Sequence, residues 1–368
     1  MDRIVIKKIS LFQYQLPLIR PLTIKNNILQ HRAGLILVLL SEQGQQGWGE
    51  ISPLPGLHQE KLSEIKSVLT DCLHDLKNIS SSPSDMIKLL PSNRISGIEK
   101  LPSVQFGLDS AWLDLFAKVR CEPVYRLLGK ESEIDAIRVN GLVTREQRER
   151  IKIIKQMLLS GYRSIKIKVG TGPESLELSE INRICNLLGN KVKFRLDANR
   201  SWTFEQALDF TRHLDRKSIE YIEEPLQDPA KLYEFYLKTG IPVALDESII
   251  DLSEINDLPD WIKAVILKPT LLGGISRNLS LIWQAAKYNI PVILSDTFQS
   301  GIGLLMVANL AALTGGSDLA MGLDTYQWLQ EDIIEPRLEY RPGKLLLPST
   351  GNVGINLDMQ KLNPVITI

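Results

Sequence analysis

The chain has 368 residues, of which 44% are hydrophobic, and its 43 basic and 43 acidic side chains balance at a pI near 6.9. This size and apolar content suit a large barrel with an additional module. The balanced charge argues against a general attraction to nucleic acid or to an anionic membrane surface.

The first residues, MDRIVIKKISLFQYQLPL, alternate apolar and polar side chains like a β-strand and lack the apolar core of a signal peptide. No apolar run approaches the roughly 20 residues of a membrane span. The three cysteines lie far apart without a CxxC pair, which disfavours disulfides and a zinc site. We expect a cytoplasmic protein, either a monomer or a homo-oligomer.

Residues 1–130 are predicted to form an α+β module. Strand-like runs, RIVIKKISLFQYQ and GLILVLLSE, precede helical patterns in LSEIKSVLTDCLHDL and VQFGLDSAWLDLFAKV.

A different pattern begins near residue 137, where eight short apolar runs alternate with helical segments. The runs are IRVNGLV, SIKIKVG, VKFRLDAN, EYIEEP, PVALDES, IKAVILKP, PVILSDT and LAMGLDT. Eight such units predict a parallel (β/α)8 barrel over residues 131–324. Its last helix is poorly developed, and residues 325–368 are expected to return to the first module.

Polar residues collect at the C-terminal end of each run, which is the end where a barrel places its active site. They include Lys166, Lys168, Asp197, Asn199, Glu223, Glu224, Asp246, Glu247, Lys268, Ser295 and Asp296. If the main charged residues point inward, their chain neighbours point toward the helices, and five of those neighbours are aliphatic: Ile167, Leu196, Ile222, Leu245 and Leu267.

Three consecutive strands end in carboxylates, namely Asp197, Glu223 and Asp246. Their mutual repulsion is relieved by a hard divalent cation, so this set predicts Mg²⁺, with Mn²⁺ as the next candidate. The four histidines lie away from the strand ends in sequence, which disfavours zinc.

Lysines flank the carboxylates, with Lys168 on the second strand and Lys268 across the barrel on the sixth. A lysine near a dication and a second ammonium should have a lowered pKa and could act as a base. Lys166 lies one layer deeper, where a structural role competes with a catalytic one. Glu224 and Glu247 are expected to form supporting salt bridges.

The motifs KIK, LDAN, EEP, LDES and LKPT, in this order on successive strands, resemble the enolase superfamily over nearly the whole chain. The lysine pair is similar to its muconate-lactonizing subgroup. The resemblance implies a modified barrel whose α+β cap is built from the N- and C-terminal segments, with a small-molecule carboxylate as substrate.

Within this subgroup, GWGEISPLPG, RLDANRSW, LKPTLLGG and GLDT resemble the o-succinylbenzoate synthase family, which are lyases of quinone biosynthesis. The resemblance implies that Lys168 acts as base and then acid, that Lys268 stabilises an enediolate, and that Lys166 tunes Lys168. It further implies that Asn199 and Ser295 line the substrate pocket. Residues 19–34 and 51–56 are interpreted as capping loops, and Gln299 replaces a glutamate that is frequent in the family.

Other activities of the same subgroup are alternatives. N-succinylamino acid racemase uses the same lysine pair, and muconate cycloisomerase is the next candidate. Dipeptide epimerase is disfavoured because Asp324 is followed by Thr325 and Tyr326 rather than by an Asp-x-Asp pattern. A binding barrel without catalysis is disfavoured because both lysines and all three carboxylates of the predicted site are present, namely Lys168, Lys268, Asp197, Glu223 and Asp246.

Overall fold

The computed structural model describes residues 3–25, 27–77, 80–81, 86–144, 149–250, 255, 258–314, 319–348 and 355–368. It contains an antiparallel sheet with helices, formed mainly by the first part of the chain, and a curved sheet of parallel strands with helices outside. We refer to these two parts as the cap and the barrel.

The cap is an antiparallel sheet covered by helices. Its strands and helices are β1 (Ile4–Ile24), β2 (Asn27–Ser41), β3 (Gln46–Ile51), α1 (Leu62–Lys77), β4 (Ser80–Ser81), α2 (Pro102–Arg120) and α3 (Val124–Leu127). β1, β2 and β3 are hydrogen-bonded in this order, and β4 pairs with the start of β1.

Residues 19–34 were predicted as a loop, but most of them belong to a long hairpin between β1 and β2. Leu22 pairs with Leu29 and Ile24 with Asn27, so the two strands continue to the hairpin tip. Pro21 lies where the register shifts between residues 17 and 22. A proline without an N–H group is tolerated at such an irregularity, so the Pro and Gly content misled the interpretation.

Two glycines allow β3 to contact helix α2 directly. A Cβ atom on Gly49 would lie 2.0 Å from the carbonyl oxygen of Gly107, and one on Gly47 would lie 2.2 Å from that of Ala111. These distances leave no space for a side chain. The GWGE motif therefore fixes how closely the helix packs on the sheet.

The barrel follows a short strand β5 (Ala136–Arg138). Its parallel strands are β6 (Gly141–Val143), β7 (Ser164–Lys168), β8 (Lys193–Asp197), β9 (Ile219–Glu223), β10 (Val243–Leu245), β11 (Ile262–Leu267) and β12 (Val292–Leu294). The helices are α4 (Arg150–Leu159), α5 (Glu174–Leu188), α6 (Phe204–Arg212), α7 (Leu232–Thr239), α8 (Glu247–Ile250), α9 (Pro269–Leu272), α10 (Ile275–Lys287) and α11 (Gly301–Ala311).

Among the residues that the structure describes, the sheet closes without a regular eighth strand. Met321 forms a parallel bridge to Val139 and Gly322 forms one to Ser295, so LAMGLDT joins the two edges through single bridges. A 3-10 segment, Asp324–Trp328, stands where the last helix of a regular barrel would begin. The predicted fold class, a modified (β/α)8 barrel with an α+β cap, is confirmed.

The C-terminal segment forms the short strands β13 (Ile334–Glu335), β14 (Tyr340–Arg341), β15 (Lys344–Leu346), β16 (Asn356–Leu357) and β17 (Asn363–Thr367). β15 pairs with β5, so the first predicted strand, IRVNGLV, is divided between this small sheet and β6 of the barrel. β17 adds an antiparallel strand beside β1 of the cap. The domain boundaries at residues 130 and 324 stay predictions.

Candidate active site

The strand register brings the charged residues to one end of the barrel. Lys168 lies beside Asp197, and Asp197 lies beside Glu223, on three adjacent parallel strands. Asp246 directly follows β10 and Lys268 directly follows β11. The alternate residues Ile167, Leu196, Ile222, Leu245 and Leu267 are all buried, as the alternation in the sequence predicts.

Two lysines from β7 bind the carboxylates of the next strands. Lys166 Nζ lies 3.0 Å from Asp197 Oδ2 and 2.7 Å from Glu223 Oε1. Lys168 Nζ lies 2.6 Å from the same Asp197 oxygen and donates to Asn199 Oδ1 at 2.6 Å. The Lys166 side chain is 11% exposed and that of Lys168 is 32% exposed, so Lys168 is the more open of the two toward the mouth.

Lys268 occupies the other side of the carboxylate group and forms an ion pair with Asp246. Burial lowers the pKa of Lys268, but Asp246 and Glu247 outweigh it and hold that pKa above its ordinary value. Burial also lowers the pKa of Lys166, but Asp197 and Glu223 outweigh it and hold that pKa well above its ordinary value. Carboxylates therefore raise the pKa of both lysines, and the lowering expected for a lysine beside a dication stays a prediction.

The carboxylates respond differently to the same surroundings. Burial raises the pKa of Asp197, but Lys166 and Lys168 outweigh it and lower the pKa below the ordinary value. At Glu223, burial and the neighbouring Asp197 raise the pKa despite Lys166. The three carboxylates are thus paired with three lysines, because Asp197 binds Lys166 and Lys168, Glu223 binds Lys166, and Asp246 binds Lys268.

The ligand atoms that the three carboxylates offer are of the type that a hard divalent cation prefers. Asp197, Glu223 and Asp246 supply only oxygen atoms, and Glu223 Oε2 is buried without a hydrogen-bond partner. Within the described part of the chain, however, no group of three His, Cys, Asp or Glu side chains is arranged so that it could already hold a metal. The carboxylates would have to turn from the lysine Nζ atoms toward a shared ion.

Asn199 and Glu247 form a hydrogen-bonded chain with Lys168. Asn199 Nδ2 donates to Glu247 Oε1 at 3.0 Å, which directs its Oδ1 atom toward Lys168. Asn199 has a positive φ of 44°, a conformation that asparagine tolerates better than most residues. The predicted substrate residue is therefore at the mouth, and it also contacts the predicted base.

Glu224 is fully buried and supports the strand ends, in agreement with the expected salt bridge. It binds Arg200 Nε at 2.9 Å and accepts from the backbone N–H groups of Asp246 at 2.9 Å and Ser248 at 2.7 Å. These bonds fix the start of the segment after β10. Glu224 thereby fixes the backbone position from which the Asp246 side chain extends.

Ser295 directly follows β12, forms a bridge to Gly322, and begins the segment 295–300, which we call the seventh loop. Asp296 in this loop is buried, and burial raises its pKa to about 6. Gln299 is 0% exposed and lies near Glu50 of the cap, since a Cβ atom on Gly303 would contact both side chains. A neutral amide avoids the repulsion that a second buried carboxylate would create there.

Three cap residues that sequence reasoning did not place at the site contact or approach these barrel loops. Glu50 binds the N-terminus of α11, and Arg32 donates to the carbonyl oxygen of Phe298. His58 lies near Lys268, and its pKa is lowered to about 3 by burial and by Arg32. No local pattern marks Glu50. Arg32 lies in residues 19–34, one of the two segments expected to cap the site, and His58 lies two residues beyond the other, residues 51–56.

A cap over a parallel barrel, with carboxylates and lysines meeting at the strand ends, defines an enzyme of the enolase type. The family model for "Enolase C-terminal domain-like" proteins matches residues 149–361, and the model for "MenC, N-terminal domain" matches residues 6–115. The chain is 31% identical to the o-succinylbenzoate synthase of Pasteurella multocida over 374 residues, which cover 98% of each protein. The chain belongs to the o-succinylbenzoate synthase family of the enolase superfamily and is an enzyme of the lyase class.

Solved structures share the fold at lower identity. The muconate lactonizing enzyme of Pseudomonas fluorescens, complexed with muconolactone, has a TM-score of 0.84 at 24% identity, covering 97% of this chain and 98% of that one. A dipeptide epimerase of Cytophaga hutchinsonii, complexed with Mg and D-Ala-L-Val, has a TM-score of 0.83 at 23% identity, covering 99% and 100%. Among the described residues, no helix is long and apolar enough to cross a membrane.

Proposed function

We propose that the chain converts 2-succinyl-6-hydroxy-2,4-cyclohexadiene-1-carboxylate to o-succinylbenzoate by syn dehydration, a step toward menaquinone or phylloquinone. The observation that carries the proposal is that two lysines bind opposite ends of the cluster of three carboxylate side chains. Lys168 binds Asp197 at one end, and Lys268 binds Asp246 at the other. The family of the relative from Pasteurella multocida supports this choice of substrate.

Lys168 performs both proton transfers in this proposal. Its neutral amine removes the ring α-proton, and the resulting ammonium gives a proton to the hydroxyl group that leaves from the same face, so one water is released. Lys268 stabilises the negative charge of the enediolate from the other side. Lys166 holds Asp197 and Glu223, while Asn199 and Ser295 line the substrate pocket.

The metal would be Mg²⁺, with Mn²⁺ as a substitute, held by Asp197, Glu223 and Asp246. When bound, it supplies positive charge that stabilises the anion developing on the substrate carboxylate. Support comes from the all-oxygen donor set, the buried Glu223 oxygen without a partner, and the magnesium present in the related epimerase structure.

N-succinylamino acid racemisation is a second candidate, because it also needs two lysines on opposite sides of one carbon atom. Dipeptide epimerisation is not supported, since Asp324 is held by Tyr162 Oη at 2.5 Å and by the backbone N–H of Leu142 at 3.3 Å. That carboxylate is thus bound within the barrel wall.

The test is an absorbance assay for o-succinylbenzoate formation, run beside a racemisation assay on the same preparation. Lys168→Ala should eliminate dehydration, whereas Lys263→Ala, at the opposite end of β11 from Lys268, should leave it unchanged. Chelation by EDTA should stop proton exchange at the substrate α-carbon, and added Mg²⁺ should restore it. Substantial turnover by Lys168→Ala would rule out this lysine as the base, and absence of exchange with or without metal would indicate a binding barrel.

A further inference from the structure

Arg32 is a buried cation at the junction of cap and barrel. Its side chain is 1% exposed, and its described hydrogen bonds all go to backbone carbonyl oxygens. Burying a guanidinium without a carboxylate partner is costly, so such a residue is retained where its hydrogen bonds serve a purpose.

The three bonds connect segments that are distant in sequence. Arg32 Nε donates to Phe298 O at 2.9 Å, Nη2 donates to Ser52 O at 2.8 Å, and Nη1 donates to Pro53 O at 3.3 Å. Ser52 and Pro53 begin the cap segment over the mouth, and Phe298 belongs to the seventh loop. One planar guanidinium therefore joins the cap to a barrel loop.

The receiving peptide group is itself fixed. Phe298 has a φ of 58°, in the left-handed region that a bulky residue seldom adopts. Its ring packs edge to face on Trp328, with 5.6 Å between the ring centroids. The unusual conformation aims the Phe298 carbonyl oxygen at Arg32, so the bond helps to maintain the shape of the seventh loop.

The seventh loop in turn contacts the segment that carries Lys268. Thr297 Oγ1 lies 3.0 Å from Thr270 Oγ1, two residues after Lys268. On the cap side, the backbone N–H of Leu54 donates to His58 Nδ1 at 2.9 Å, which orders the segment next to Ser52 and Pro53. Arg32 is thus connected through short contacts to the wall of the site beside Lys268.

We propose that Arg32 is a positioning residue that holds the 52–58 segment of the cap and the seventh loop together as one wall of the site. It acts through backbone carbonyl groups and does not touch the reacting atoms. The kinetic part of this inference rests on the proposed function, whereas the structural part does not. A lysine at this position would keep the charge but could not reach three carbonyl groups in this geometry.

The test compares Arg32→Lys and Arg32→Met with Arg337→Lys. Arg337 is a matched control, because it also donates to two backbone carbonyl oxygens, of Gln330 and Leu329, each at 3.1 Å, but is exposed. Hydrogen–deuterium exchange of residues 54–58 and 297–300 should accelerate at least tenfold in both Arg32 variants and not in the control. In the same variants kcat should fall roughly 10- to 100-fold, because a small misplacement of a site wall has effects of that size.

Unchanged exchange in the two segments would overturn the proposal, whether or not the enzyme turns over the proposed substrate. Faster exchange with an unchanged kcat would also overturn it, because Arg32 would then serve stability alone. Arg32→Lys keeps the charge and most of the volume, so it decides the matter if Arg32→Met fails to fold. A wild-type protein without dehydratase activity would refute the proposed function, while the exchange measurement would still test the connection.

Discussion

Glu50→Gln should separate the contribution of one carboxylate from that of side-chain shape. Glu50 lies in cap strand β3 and is 0% exposed. Its Oε1 accepts from Tyr14 Oη and from the backbone N–H of Ser300 at 3.1 Å. Its Oε2 accepts from Ser300 Oγ at 2.5 Å and from the backbone N–H of Gly303 at 3.0 Å. A cap residue therefore binds the N-terminus of barrel helix α11.

The expected loss follows from these bonds. Either orientation of a glutamine amide places its NH₂ group against one of the two backbone N–H groups, and leaving a buried donor without an acceptor costs about 1–3 kcal/mol. Loss of a negative charge at a partly buried helix N-terminus costs up to about 2 kcal/mol more. Easier burial of a neutral amide offsets part of this, so we expect a net loss of about 2–4 kcal/mol in the free energy of unfolding.

Urea titration of Glu50→Gln beside Glu42→Gln measures this difference. Glu42 is exposed at the end of the same sheet, and its substitution should change the free energy of unfolding by less than about 0.5 kcal/mol. If the two variants unfold at the same urea concentration, Glu50 does not stabilise the contact between cap and barrel, and the reasoning from hydrogen bonds is wrong.

Two further substitutions test burial and packing. Burial raises the pKa of Asp296 to about 6, so this carboxyl destabilises the fold as the pH rises from its unfolded pKa of about 3.9 through 6. Asp296→Asn can keep the oxygen that accepts from Thr325 and removes the oxygen that has no partner. The variant should therefore lose this decline in stability and gain up to about 3 kcal/mol in the free energy of unfolding at pH 8. Thermal melting curves recorded across pH measure the difference, and parallel pH profiles for variant and wild type would contradict the prediction. Gly49→Ala should lower the free energy of unfolding in urea by about 3 kcal/mol or more, because the new Cβ atom would meet the backbone of Gly107. The control Gly44→Ala has open space around it and is opposed only by a positive φ, so it should cost about 1–2 kcal/mol. Equal losses would show that contact with the helix is not the reason for a glycine at position 49.

Much of the barrel and its mouth could be predicted because the information is local and periodic. Alternating side chains in KIK and RLD assign each residue to one face, and parallel strands then carry all C-terminal ends to one edge. This logic placed Lys168, Asp197 and Glu223 side by side, as the strand register has them. It did less well where the pattern was short, since IRVNGLV divides between two sheets and LAMGLDT contributes only single bridges.

The sequence by itself determined the order of strands, the inward face of each and the charged residues that meet at the open end, because these depend on a repeat of two residues and a repeat of whole units. Only the tertiary structure decided which cap residues contact the barrel segments beside these charged residues. The bond from Arg32 to Phe298 joins positions 266 residues apart, and those from Glu50 to the α11 N-terminus join positions 250 or more apart. Such pairs have no periodic signature, because their two members lie on different surfaces that meet only in the tertiary structure.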